Sequence, residues 1–505
     1  MVDRVQSPAA HAELFGHPRG LTFLFTTEMW ERFSYYGMRS LLVLYMTKYL
    51  LLAQHSGNVI GLATVHRALE SVFGPLDVQP LSSQIWGLYT GLVYLTPVFG
   101  GLLADRVLGQ HRTILLGAAM MAIGHFMMAF EPLFLIALTM LILGNGAFKP
   151  NMSAQVGGLY APGDPRRDRA YSIFYVGINL GAFLAPLVCG TLGEGFGWHY
   201  GFAAAGVGML IGLAIYLYAL PLLPPDELHK AQQEEATRSA MTSSAQQFPL
   251  RGVSATLAPR CAPNPPPLAG EGRVGAERRA VWALLALFIP NTLFWAAYEQ
   301  MGNTIVLWAE AYTDRSIDVL HLFGASAQIP TTWFLAVNPF MIFAFTPFVV
   351  ALWARQAARG AEPPTITKMA YGCFGVAAAN LIMVAAALYA LGWTGGGSAT
   401  GAAGKASWLW LFAYFVVITL GELYLSPVGL SFVTKVAPAR LISLMMGVWL
   451  ATSFTGGFLS GYIGSFWSRM GKPEFFLLVA GVAAIAGVMI WRLTWVVRGS
   501  NEITG

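Results

Sequence analysis

Charge is scarce in this sequence. Lysine, arginine, aspartate and glutamate make up 11% of 505 residues, against roughly 25% in ordinary soluble domains. Apolar residues make up 56%, with 55 glycines besides, so about two thirds of the chain is apolar where about half is usual. That balance excludes a water-soluble domain and points to an integral membrane protein. Cysteine is scarcer still. Cys189, Cys261 and Cys373 lie far apart, which excludes a disulfide framework and a metal or redox motif. None of the nine histidines pairs with another at ligand spacing inside an apolar stretch. Neither a membrane-embedded metalloenzyme nor a cofactor is therefore expected. The first twenty residues carry Asp3 and Glu13 and no apolar run before a cleavage site, so no cleaved signal peptide is expected.

What the chain does have is long apolar runs. Stretches of about 20 apolar residues, enough to cross a bilayer, fall at 21–52, 82–104, 113–130, 133–155, 171–190 and 201–222. Six more fall at 281–309, 329–354, 366–391, 407–433, 441–467 and 475–497. The expected architecture is all-α, with twelve transmembrane helices in two six-helix halves, 1–222 and 281–505. Residues 53–81 read as a polar outer loop. Residues 223–280 are rich in Gln, Ala, Ser and Pro and read as a disordered linker, with a short amphipathic helix near Glu227–Ser239. If both termini lie inside, 21 lysines and arginines fall on the inner side and 6 on the outer. The positive-inside rule then puts both ends and the linker in the cytoplasm. The basic residues are loop charges with a topological meaning, and no nucleic-acid partner is implied.

Seven ionisable residues sit deep in the apolar runs. They are Glu28, Glu31, Arg32 and Arg39 in span one, Lys149 in span four, Glu299 in span seven and Glu422 in span ten. Each costs at least ~2.5 kcal/mol at the bilayer centre unless it faces a wet or paired interior. Spans one, four, seven and ten are every third span, the pattern of three-helix repeats whose first helices line a central cavity. At 100° per residue, Arg32, Tyr35 and Arg39 fall within about 40° of Glu28, with Glu31 and Tyr36 flanking them. One stripe of that helix is therefore polar and aromatic. Ion pairs that merely fasten helices together are the competing explanation. Seven such charges are a costly fastening, and a lining for an aqueous path accounts for all of them. Xaa-Pro steps in FKPN (148–151), VNP (337–339), LSP (425–427) and LTP (95–97) mark places where a helix can bend at a cavity.

Several of these segments resemble a known family. GGLLADRVLGQHR (100–112) resembles the loop motif of the major facilitator superfamily. EMWERFSYYG, GNGAFKPN, FYVGINLGAF, FWAAYEQMG, IPTTWFLAVNP and GELYLSPVGLSFVTKVAPARL resemble helix motifs of its proton-dependent oligopeptide transporters. The match spans both halves of the chain. It implies the major facilitator fold and an inward proton symporter of di- and tripeptides working by alternating access. It implies that Glu28, Glu31 and Arg32 couple proton and substrate and that Glu299 is a principal proton carrier. Lys149 and Arg39 would face the peptide carboxylate, and Glu422, Asn179 and Asn338 its amino end. Tyr35, Tyr36, Tyr94, Tyr175, Trp295, Ser426 and Trp449 would shape the side-chain pockets.

The resemblance also implies a bacterial inner-membrane protein, multi-pass, whose partners are peptides, protons and the lipid bilayer, and which functions as a monomer. Two departures stand out. Gly87 occupies the position nearest the second-span histidine of animal members, so coupling must lean on the carboxylates. The linker is too polar to hold the two extra helices of many bacterial members. Another solute on the same scaffold, nitrate or a drug, is the rival reading. A single-anion carrier would not need Glu422 opposite Lys149.

Overall fold

The computed structural model describes residues 13–14, 16–161, 163–226, 281–316, 328–392, 404–438 and 441–498. The linker beyond Asp226, including its expected amphipathic helix, lies outside the described residues.

Helices dominate. The first part of the chain forms α1 (Arg19–Tyr45), α2 (Leu62–Phe73), α3 (Val78–Leu103), α4 (Gln110–Met127), α5 (Phe134–Gly158), α6 (Arg166–Ala185), α7 (Thr191–Gly195) and α8 (Trp198–Ala219). The second part forms α9 (Phe288–Tyr298), α10 (Thr304–Tyr312), α11 (Phe334–Ala358), α12 (Thr365–Ala390), α13 (Trp408–Val436), α14 (Ile442–Gly464) and α15 (Lys472–Arg498). Among the described residues, nine continuous helical stretches are long and apolar enough to cross a membrane. Three further long helices are α1, α4 and α14, of which α1 and α4 are less apolar. In α1 the cause is the four charges in its middle; α4 opens on Gln110, His111 and Arg112.

The apolar core divides into two main clusters. One runs from Leu21 to Leu223 and is built around Tyr45, Trp86, Phe134, Phe148 and Phe202. The other runs from Leu284 to Ile490 and is built around Phe294, Trp308, Tyr414, Phe415 and Phe475. Across the divide, α3 packs on α14 and α6 packs on α11. The first of these contacts depends on glycine. A Cβ at Gly87 would lie 2.6 Å from Gly461 Cα, and one at Gly457 would lie 2.9 Å from Gly91 N. Small residues four apart on both helices bring the backbones together. They also leave no room at position 87 for the animal histidine.

Two local features differ from the sequence expectation. The loop 53–81 contains α2, whose Leu62 and Leu69 are buried and whose end is held by Phe73, its ring tilted against those of Phe458 and Tyr462. Span seven is broken: α9 gives way to a tighter turn at Glu299–Gly302, and α10 starts after Asn303. Gln300 bridges the break, donating to the Ser460 carbonyl at 2.9 Å and accepting from Thr304 Oγ1 at 2.9 Å. Around the turn from α3 into α4, Asp105, Arg106 and Arg112 form no ion pair among the described residues. There Gly109, at φ 79°, turns the chain, and the Asp226 carboxylate accepts the His111 backbone N–H at 3.1 Å.

Candidate functional site

The polar stripe of α1 is buried as a network. Arg32 donates through Nη2 to Glu31 at 2.7 Å and pairs through Nε with Glu31 and, at 3.3 Å, with Glu28. Asn145 on α5 donates to Glu31 at 3.0 Å, and the Arg32 guanidinium sits 5.1 Å from the Tyr35 ring centre. Gly181 makes this possible, since a Cβ there would meet Arg32 Cβ at 2.9 Å. A full turn and more along α1, Arg39 crosses the divide to pair with Glu299 at the break in span seven. Its guanidinium lies 5.3 Å from the Trp86 ring centre, over space left by Gly302, where a Cβ would be 2.8 Å from Trp86.

Lys149 differs from these arginines. Its ammonium sits 5.1 Å above the Tyr94 ring, and it forms no ion pair among the described residues. Pro150, next to it, cannot donate to the Gly146 carbonyl, and the bare backbone at Gly100 packs against that carbonyl. Asn151 donates instead to the Ala147 carbonyl at 2.7 Å. Glu422, on α13, is held by neutral donors: the Tyr298 hydroxyl at 2.6 Å and Asn338 Nδ2 at 3.0 Å. Asn338 also donates to Thr419 at 3.0 Å.

These groups surround one cavity of about 310 Å³, at the lower end of the ~300–1,000 Å³ usual for small-ligand sites. Arg32, Arg39, Lys149, Glu299 and Glu422 supply its charges. Asn179 and Asn338 reach it as neutral polar groups, and Tyr36, Tyr94, Tyr175, Trp295, Ser426 and Trp449 form parts of its wall. Glu28, Glu31 and Tyr35 do not line it. The two glutamates lie behind Arg32, and Tyr35 stacks on Tyr89 in the core. Tyr175 and Leu430, both in the wall, are 48% and 42% exposed, so the cavity opens on their side. Lys149 and Glu422 form no ion pair with each other.

The opposite end is shut by a polar clasp. Glu194, just beyond the α6 span, accepts the backbone N–H groups of Thr331 and Thr332, both at 2.8 Å, and the Thr332 hydroxyl at 2.7 Å. Arg315 lies 3.7 Å from Glu194 and 3.3 Å from Glu310, and Glu310 pairs with Lys48 at the end of span one. Among the described residues no cluster of three or more His, Cys, Asp or Glu is placed to hold a metal ion.

The POT family profile matches residues 111–254 and 271–476. The chain is 34% identical to a di-/tripeptide transporter of Lactococcus lactis subsp. cremoris, covering 94% of this chain and 95% of that protein. This chain belongs to the POT family. It is also 34% identical to the peptide transporter YePEPT of Yersinia enterocolitica subsp. palearctica, covering 89% and 88% of the two chains. A crystal structure of peptide transporter POT in complex with sulfate matches with a TM-score of 0.74 at 28% identity, covering 98% of both chains. A POT family transporter in complex with 5-aminolevulinic acid matches with a TM-score of 0.72 at 26% identity, again covering 98% of both. POT proteins are transporters of the major facilitator superfamily, and an enzymatic role is set aside.

Within this POT family chain, the sequence reading missed Tyr298, whose hydroxyl holds Glu422 and whose ring lines the cavity. Its signal was present: Tyr298 lies three residues after Trp295 and directly before Glu299. Ser40, Met301 and Ser453 also line the cavity. They are small or ordinary apolar residues, and nothing in their local sequence sets them apart.

Proposed function

We propose that this chain is a proton-coupled symporter that imports di- and tripeptides by alternating access. One arrangement carries the reading: Lys149 and Glu422 face a single cavity from the two parts of the chain. A zwitterionic peptide supplies a carboxylate to the first and an ammonium to the second, and each charge is costly to bury unpaired. Protonation of Glu299 releases Arg39, which then joins Lys149 on the peptide carboxylate, so that proton and peptide enter together. Glu28 and Glu31 tune Arg32 in the same way. The relatives named as di-/tripeptide and peptide transporters support this substrate class over nitrate, which gives Glu422 no role.

The architecture we infer has twelve spans in two six-helix halves, 1–222 and 281–505, joined by a cytoplasmic linker, 223–280. The nine apolar helices together with α1, α4 and α14 support the count. The two core clusters support the division. The lysine and arginine bias supports cytoplasmic termini in a bacterial inner membrane, and the clasp then lies on the outer side. A complete cavity within one chain supports function as a monomer. The decisive experiment is uptake of labelled dialanine into liposomes holding the purified protein. Accumulation should require an inward proton gradient; accumulation that ignores the gradient, or none at all, overturns the proposal.

A further inference from the structure

One wall of the cavity is shaped by a side chain that is missing. Trp449 on α14 lays its indole across the backbone of α13 at Gly429. A Cβ built on Gly429 would fall 2.5 Å from Cζ2 of that ring, closer still to Cη2, and 3.2 Å from Cζ3. Carbon atoms in ordinary contact stand ~3.5–4.0 Å apart, so the ring occupies the volume that any larger residue would fill. The same ring faces the cavity. Ser426 and Leu430, near Gly429 on α13, and Leu450 and Ser453, near Trp449 on α14, line the cavity with it. Trp449 also belongs to the buried apolar core that includes Phe432 and Met445, which are 4% and 5% exposed. The open volume next to the indole is the cavity itself.

We propose that Gly429 is a specificity-determining positioning residue. By letting Trp449 recess into α13, it sets the depth of the pocket that receives the peptide side chain. With glycine there the pocket admits bulky side chains; with alanine the ring is driven ~1 Å or more into the cavity, and only small ones fit. This inference rests on the peptide-transport reading and names a determinant of its selectivity. Gly447, on the same helix as Trp449, has nothing within 4 Å of its own Cβ position and serves as the control.

The test is competition by diphenylalanine and by unlabelled dialanine against labelled dialanine uptake in proteoliposomes. Gly429→Ala should raise the diphenylalanine concentration for half-inhibition, relative to that for dialanine, by ~10-fold or more, the effect of a misfit of about one methylene in an apolar pocket. Gly447→Ala should leave the ratio as in the wild type. In a Trp449→Ala background, adding Gly429→Ala should no longer move it, because the displaced ring is gone. If Gly429→Ala alone fails to transport, recovery of transport by Trp449→Ala supports ring displacement, and failure in both backgrounds overturns it. An unchanged ratio in a Gly429→Ala protein that takes up dialanine overturns this inference alone. A wild type that takes up no dialanine overturns the peptide reading beneath it.

Discussion

Glu194→Gln tests whether the clasp governs access from the outer side. The carboxylate accepts three hydrogen bonds at 2.7–2.8 Å, two of them from backbone N–H groups at the start of the span-eight helix. Glutamine keeps one acceptor oxygen and presents an NH2 group where the other stood. The Thr331 N–H then faces a donor, and the attraction to Arg315 at 3.7 Å is lost. A hydrogen bond to a charged group contributes ~1.5–3 kcal/mol. The Glu194 side chain is 15% exposed, so the lower part of that range applies. A loss of ~1.5–2 kcal/mol raises the population opened to the outside by ~10–30-fold. The assay is labelling of Ser40→Cys, a cavity position that is 3% exposed. The carrier for this variant lacks its three native cysteines, and a membrane-impermeant thiol reagent is added to intact cells. Where opening and reclosing outpace the reagent, the labelling rate follows the open population. A Glu194→Gln rate equal to or below that of the parent refutes the reasoning, because the clasp would then carry none of the closing free energy.

Four other outcomes are expected. Glu299→Gln should abolish gradient-driven accumulation while largely sparing peptide counterflow, since it removes the proton site and leaves Lys149 and Glu422 in place; accumulation by this variant would move the proton role elsewhere. Glu422→Gln should weaken binding of free dipeptides by one to two powers of ten, at ~1.5–3 kcal/mol for a charged contact, with little effect on amino-acetylated ones. Lys149→Ala should make the corresponding distinction between free and amidated carboxyl ends, and unchanged relative affinities in binding assays would reverse the proposed polarity. Gly87→His should lower the thermal unfolding midpoint of the detergent-solubilised protein, because the imidazole meets the Gly461 backbone; an unchanged midpoint would mean that α3 and α14 part easily.

The charges were the most legible part of this site. A lone ionisable residue in an apolar run has few physical explanations, so Arg32, Arg39, Lys149, Glu299 and Glu422 could be read from the sequence, and all line one cavity. Pairings were not legible. That Arg39 reaches Glu299, 260 positions away, depends on how the two parts of the chain meet, which no local pattern encodes. The clasp was hidden for another reason: Glu194, Glu310 and Arg315 sit at helix ends, where charge is ordinary. Tyr35 shares the polar stripe of α1 by helical angle, yet it turns to Tyr89 rather than the cavity, because aromatic packing competes for the same face. The short helix α2 was concealed by its polar neighbours, although Leu62, Leu69 and Phe73 mark its apolar side.

The glycine seam between α3 and α14 bears on how such a molecule can move. Helices that meet through interlocking side chains must lift each ridge out of its groove before they can turn. Where Gly87 and Gly91 lie on Gly457 and Gly461, backbone rests on backbone, and a change of angle demands no new rotamers. The seam can therefore act as a bearing. The energy that distinguishes one orientation from another is then left to the polar groups at either end of the cavity, where a proton or a peptide can alter it.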